Sequence, residues 1–156
     1  MQKLKRLIND LESKVLHHEK VSSSVSTASV GWHVSHSLLV ITQIVSRLKK
    51  SDPLLYKYKF NLSKTYVYVL GRIPRGRGKA PEIVIPKGEI NEATIAEQLA
   101  IVDDAITNLS NLDRNSYIEH PYFGQLNLKH TQTFLMLHTV HHLKIIQDIL
   151  KKSNSQ

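Results

Sequence analysis

The chain has 156 residues, enough for one domain with its own hydrophobic core. Apolar residues make up 41% and charged residues 22%, which excludes a disordered polar chain, and the lack of Cys excludes disulfides and thiolate metal ligands. The formal net charge is +8 and uneven: residues 1–80 carry 15 Lys and Arg against 4 Asp and Glu, and residues 81–156 carry 6 against 9. A basic half suits an anionic ligand or partner, and a solvated basic face is the plain alternative. The segment from Met1 to Asp10 is amphipathic and lacks the continuous apolar stretch of a signal peptide. No apolar run reaches the length of a membrane span. The expected compartment is the cytoplasm, with no membrane partner.

The first predicted helix covers residues 2–20, where Leu4, Leu7, Ile8, Leu11 and Val15 recur at helical spacing. His17 and His18 fall near its end and read as surface residues. Ser- and Thr-rich residues 21–29 form a loop leading into a second helix, from about Ser26 to Lys50. That helix carries two apolar stripes. One is Val34, Leu38, Ile41, Val45 and Leu48; the other, roughly opposite, is Trp32, His36, Leu39, Val40 and Gln43. A helix apolar on two sides is covered from two sides, here by the bundle interior and by a partner subunit. Asp52-Pro53 ends it. Residues 54–90 are the least regular. Asn61–Leu70 reads as a short helix despite the strand-like Thr65-Tyr66-Val67-Tyr68-Val69, and Gly71 to Pro81 as a loop.

The third long helix spans Asn91–Asn111, with a seam of Ile95, Leu99, Val102, Ile106 and Leu109. His120-Pro121-Tyr122-Phe123-Gly124 is a turn. The fourth runs from Asn127 to Lys152, its inward stripe Thr131, Phe134, His138, His142, Ile145 and Ile149. The pattern predicts an all-α fold: one four-helix bundle over residues 1–152, with a long crossover between its second and third helices. A short polar tail, residues 153–156, follows.

His138 and His142 stand four residues apart, one above the other on a face that should be core. Two unpaired imidazoles buried there would cost on the order of a few kcal/mol. A shared metal would satisfy one nitrogen on each, and hydrogen-bonded core histidines are the alternative. A metal needs a third ligand. His36 on the second helix is the best candidate, and His33, about 60° round that helix, is the fallback. Three neutral imidazoles with one open position describe a catalytic rather than a closed structural site. His141 reads as a helix residue beside that site, a supporting group or base at most. His120 and His130 read as loop and helix-start residues. The cations Arg72, Arg75, Arg77 and Lys79 are candidates for binding carboxylate or phosphate.

Three segments carry a family resemblance: Val30-Gly31-Trp32-His33-Val34-Ser35-His36-Ser37-Leu38, the loop from Gly71 to Pro81, and His120-Pro121-Tyr122-Phe123-Gly124-Gln125-Leu126 leading to His138-Thr139-Val140-His141-His142-Leu143-Lys144. Together they resemble the DinB/YfiT-like superfamily of metal-dependent four-helix-bundle proteins, in a branch whose function is uncharacterised. The resemblance implies a divalent metal on His36, His138 and His142, and a homodimer. It also implies, as in some relatives, activation of a low-molecular-weight thiol for S-transfer or isomerisation.

The sequence thus supports a metal-dependent S-transferase or hydrolase acting on a small, anionic substrate. The alternative is a non-catalytic dimeric module with a vestigial or empty His site. Imidazole ligands suit zinc, nickel, copper or iron. A nucleic-acid partner is disfavoured, because no recognisable module accompanies the basic loop.

Overall fold

A computed structural model describes residues 2–76, 78 and 80–153. Among these residues the chain is predominantly helical. In order come α1 (Gln2–Glu12), α2 (Val30–Lys50), α3 (Leu62–Leu70), α4 (Glu92–Thr107), strands β1 (Tyr117–His120) and β2 (Gly124–Asn127), and α5 (Leu128–Ser153). Helix α2 packs against α4 and α5, α1 against α5, and the β1–β2 hairpin against α2 and α5. Of the tail expected over residues 153–156, Ser153 belongs to α5, and Asn154–Gln156 lie outside the described residues.

Helix α1 buries Leu4, Ile8 and Leu11 but stops at Glu12, short of the predicted residue 20. Between Glu12 and Lys20 the chain buries no further apolar side chain fully: Val15 is half-buried and Leu16 is exposed. Instead the chain makes a 3-10 turn at Val15–His17 and drops alongside the start of α2. There the His18 carbonyl accepts from Gly31 N–H and the Lys20 carbonyl from Val30 N–H, at 2.8 and 2.9 Å. Helix α2 begins at Val30 rather than Ser26, because Ser29 caps it by accepting from Trp32 N–H at 3.1 Å.

The strand-like run in α3 is helical because both ends are fixed. Asn61 accepts from Lys64 N–H at the N-terminus, and Gly71 takes φ +63° at the C-terminus, a conformation that only glycine adopts readily. An Asn91–Thr94 capping box starts α4. That helix ends at Thr107, with a 3-10 turn at Leu109–Asn111 completing the predicted span. Its seam is buried except for Leu99, which is half-buried.

The hairpin was not expected. Around the predicted turn, Tyr117 pairs with Asn127 and His120 with Gly124. Four-residue strands of mixed polarity carry little periodic signal. They form here because Ile118 and Leu126 are buried against the helices. No helix among the described residues is long and apolar enough to cross a membrane.

Candidate metal centre

The chain itself buries one apolar stripe of α2 and partly covers the other, in which Trp32, Leu39 and Gln43 are half-buried. Val34, Leu38, Ile41, Val45 and Leu48 are fully buried in the core. The second stripe, expected to meet a partner subunit, instead faces the crossover. His36 and Val40 are buried there, and with Trp32 and Gln43 they line a cavity of about 340 Å³ roofed by Ile73 and Val84. Helix α5 closes the opposite wall. Its inward stripe is buried as expected at Thr131, Phe134, His142, Ile145 and Ile149, while His138 is partly open to the cavity.

At the base of this cavity three imidazoles meet. His36 from α2 and His138 and His142 from α5 each offer a nitrogen, and these nitrogens lie within 4.8 Å of one another. Ring centroids are 4.5 Å apart for His138–His142, 4.8 Å for His36–His142 and 5.2 Å for His36–His138. The fourfold spacing on α5 stacks two rings, and the α2–α5 packing brings the third across. Among the described residues this trio can hold a metal ion.

The surrounding contacts decide which nitrogens are available. His36 Nδ1 lies 2.7 Å from the Val84 carbonyl oxygen, so Nδ1 carries the proton, donates to that carbonyl and leaves Nε2 with a lone pair. Trp32, one turn earlier, stacks on the His36 ring at 4.9 Å and 12° and fixes its plane. His142 Nδ1 lies 3.0 Å from His33 Nδ1, and His33 Nε2 lies 3.0 Å from Ser26 Oγ. One tautomer runs His142 Nδ1–H to His33 Nδ1 and His33 Nε2–H to Ser26 Oγ, freeing His142 Nε2 as a ligand. Its reverse places a proton on His142 Nε2. Ligated histidines commonly donate their second N–H in this manner. The fallback ligand His33 therefore belongs behind the trio, as the partner of His142. Sequence spacing could not show this, because it depends on the rotation of α2 against α5.

All these rings are neutral. Burial pushes His33 down to about 4, with His36 and His141 adding to the effect. Burial lowers His36 as well, against the opposing pull of its Val84 bond. His138 and His142 are held well below the ordinary imidazole range, first by burial and then by neighbouring imidazoles: His36, His141 and His120 act on His138, and His138, His36, His33 and His141 act on His142. No carboxylate hydrogen-bonds to any of them among the described residues. The donor set is thus neutral nitrogen with unprotonated lone pairs, the state in which imidazole binds a divalent ion. Bond lengths of about 2.0–2.1 Å put tetrahedral nitrogens about 3.4 Å apart, so the rings as they stand are slightly splayed.

No protein-family model, curated protein or solved structure matches the chain.

Two further histidines sit close by. His141 is half-buried and donates from Nδ1 to the Ile73 carbonyl at 3.0 Å, tying α5 to the crossover loop. His120, read from sequence as a loop residue, ends β1 and stands in the cavity wall. Its ring stacks on Phe123 at 4.4 Å and 8° and meets Phe134 edge-on at 4.6 Å. Burial lowers its pKa to about 4. His130 is half-buried at the start of α5, and Tyr68 Oη donates to its carbonyl at 2.7 Å. His17 is exposed as expected, but His18 is half-buried over Gly31. Of the basic loop, Arg72 and Arg75 line a second pocket on the far side of His141, and Arg77 and Lys79 lie outside the described residues.

Proposed function

We propose that this chain is a metal-dependent enzyme built as a DinB/YfiT-like four-helix bundle, with His36, His138 and His142 as ligands. The convergence of three neutral imidazoles at the foot of a mostly apolar cavity carries the reading. Three neutral ligands leave a divalent ion's charge uncompensated, so an ion there would favour an anion at its open position and lower the pKa of a bound thiol or water. Zinc, nickel and iron all suit such a donor set. The chain's own residues supply the rest. His33 and Ser26 set the His142 tautomer, Val84 and Trp32 orient His36, and the cavity wall of Ile118, Phe123 and Phe134 excludes water. The reaction we favour is S-transfer from a low-molecular-weight thiol, with hydrolysis as the related outcome if water takes the open position. We also propose that the protein is a homodimer. The exposed apolar residues Leu54, Leu55, Phe60 and Leu62 on the crossover support this, since they have no cover within one chain.

The internal bonds His36–Val84 and His33–His142 favour a second reading, because they would partly satisfy a metal-free core. In that case the chain is a non-catalytic binding module. Elemental analysis of protein purified without a metal-affinity tag separates the two. Near-stoichiometric zinc, nickel or iron in the wild type, lost in His138→Ala, is expected. Equal traces in both would remove the metal reading.

A further inference from the structure

We propose that the pocket between α3, the crossover loop and α5 binds a small organic anion, a carboxylate or phosphate attached to an apolar body. The pocket has a volume of about 510 Å³. Its cationic side is Arg72, Arg75 and Lys144, and its apolar side is Tyr66, Leu70 and Val140. The carboxylate of Asp148 holds Arg75 through a single 2.8 Å contact from Nη2, which leaves most of that guanidinium's five N–H groups unused. Arg72 and Lys144 are exposed, and no ion pair holds either among the described residues. Three cations therefore face one carboxylate. A planar guanidinium suits bidentate contact with carboxylate or phosphate. Tyr66 is 59% and Leu70 41% exposed, an apolar wall that an inorganic ion would leave uncovered and a hydrocarbon or aromatic body would bury.

The pocket also adjoins the imidazole cavity. Ile73, Pro74 and His141 line both. The Ile73–His141 hydrogen bond forms the partition, with His141 Nδ1 committed to it. A ligand anchored by Arg72 and Lys144 lies one residue thickness from the trio. That the anion is the tail of a substrate whose reactive end reaches the imidazoles rests on the metal-centre reading; the binding itself does not.

The test uses metal-stripped protein in chelator, titrated with phenyl phosphate and followed by calorimetry and by backbone amide NMR. Saturable binding is expected, with shifts confined to residues 66–75 and 137–144. In Arg72→Ala/Lys144→Ala the affinity should fall at least tenfold, because two charge-assisted contacts are lost. Lys49→Ala/Lys50→Ala, two exposed cations elsewhere, should leave it unchanged. Inorganic phosphate should bind more weakly than phenyl phosphate, and the neutral phenol should not saturate. Equal losses in the two double variants, shifts located outside the pocket, or inorganic phosphate binding as tightly would overturn the proposal. Metal content of Arg72→Ala/Lys144→Ala is measured in parallel. Normal metal in the variant as purified with anion binding lost supports a separate anion site, and a wild type that binds the anion but carries no metal as purified retires only the metal centre.

Discussion

Stability should fall steeply with acid, because the cluster is folded around uncharged imidazoles. Each buried ring is neutral in the native chain and regains an ordinary pKa near 6.5 when the chain unfolds. The unfolded state therefore binds more protons below that value. Stability is full above pH 6.5 and is lost as pH falls from there toward 4. His33 and His120 are each pushed down from 6.5 to about 4. At about 1.36 kcal/mol per pKa unit, each transfers about 2 kcal/mol between pH 7.5 and pH 5. Together they remove about 4 kcal/mol, a large part of the 5–15 kcal/mol typical of a domain. His36, His138 and His142 are shifted the same way and add to the loss. Urea unfolding in chelator, at pH 7.5, 6 and 5, reads the effect. With a slope of about 2 kcal/mol per molar, the midpoint should drop by about 2 M or more across that range. His120→Phe keeps the stack on Phe123 and should remove about 2 kcal/mol of the pH dependence. A midpoint that moves by less than about 0.5 M, or a His120→Phe variant as acid-sensitive as the wild type, would refute the neutral-cluster account.

Gly31→Ala should destabilise the chain. A Cβ there would sit 2.9 Å from His18 Cβ, 3.0 Å from the His18 carbonyl oxygen and 3.1 Å from Ile90 Cγ2. Overpacking of this kind costs about 1–3 kcal/mol, more than the helix propensity that alanine gains. Urea midpoints check it, and an unchanged or higher midpoint would show that the α1–α2 connection yields freely. Lys64→Met should do the opposite. Lys64 is only 4% exposed, its Nζ has no hydrogen-bond partner, and burial lowers its pKa. Among the described residues the ammonium sits over the Tyr58 ring, 5.0 Å from its centroid. Removing an unsatisfied buried donor while keeping the apolar stem should raise stability by about 1 kcal/mol. A loss of stability in thermal melts would mean that the ammonium has a partner in the working protein.

How much of this was legible in the sequence differs by element. The fourfold spacing of His138 and His142 was readable because a helix fixes which side chains share a face. The span of α3 and the seam of α4 were readable for the same local reason. What could not be read depends on cover. The second stripe of α2 is apolar whether a partner subunit or the chain's own crossover lies on it, and only the tertiary placement of Ile73 and Val84 decides. The β1–β2 hairpin is likewise a tertiary product, with Ile118 and Leu126 buried where the strands pack on α5, which follows directly, and on α2, which is distant in sequence. The shortened α1 follows from His18 and Lys20 supplying carbonyls to the start of α2, bonds that no periodicity encodes.

The misplacement of His33 is the most instructive case. On α2 it stands three residues before His36, close enough in angle to pass for an alternative ligand. In the folded chain it is the hydrogen-bond partner of His142, one of the three candidate ligands, and Ser26, a residue from the loop before α2, anchors it in turn. The consequence is chemical. The three-membered line Ser26–His33–His142 has two proton arrangements, and only one leaves a lone pair on His142 Nε2. Ser26 Oγ lies 3.0 Å from His33 Nε2. It also takes the Ala28 N–H at 3.1 Å, which occupies one of its lone pairs and leaves another to accept from His33. Because the hydroxyl can also donate, Ser26 does not by itself lock the line. The bias must come from His142: an ion on Nε2 would hold the proton on Nδ1, and without one the reverse arrangement is open. The same three residues therefore serve a filled or an empty site, with tautomer as the difference between them.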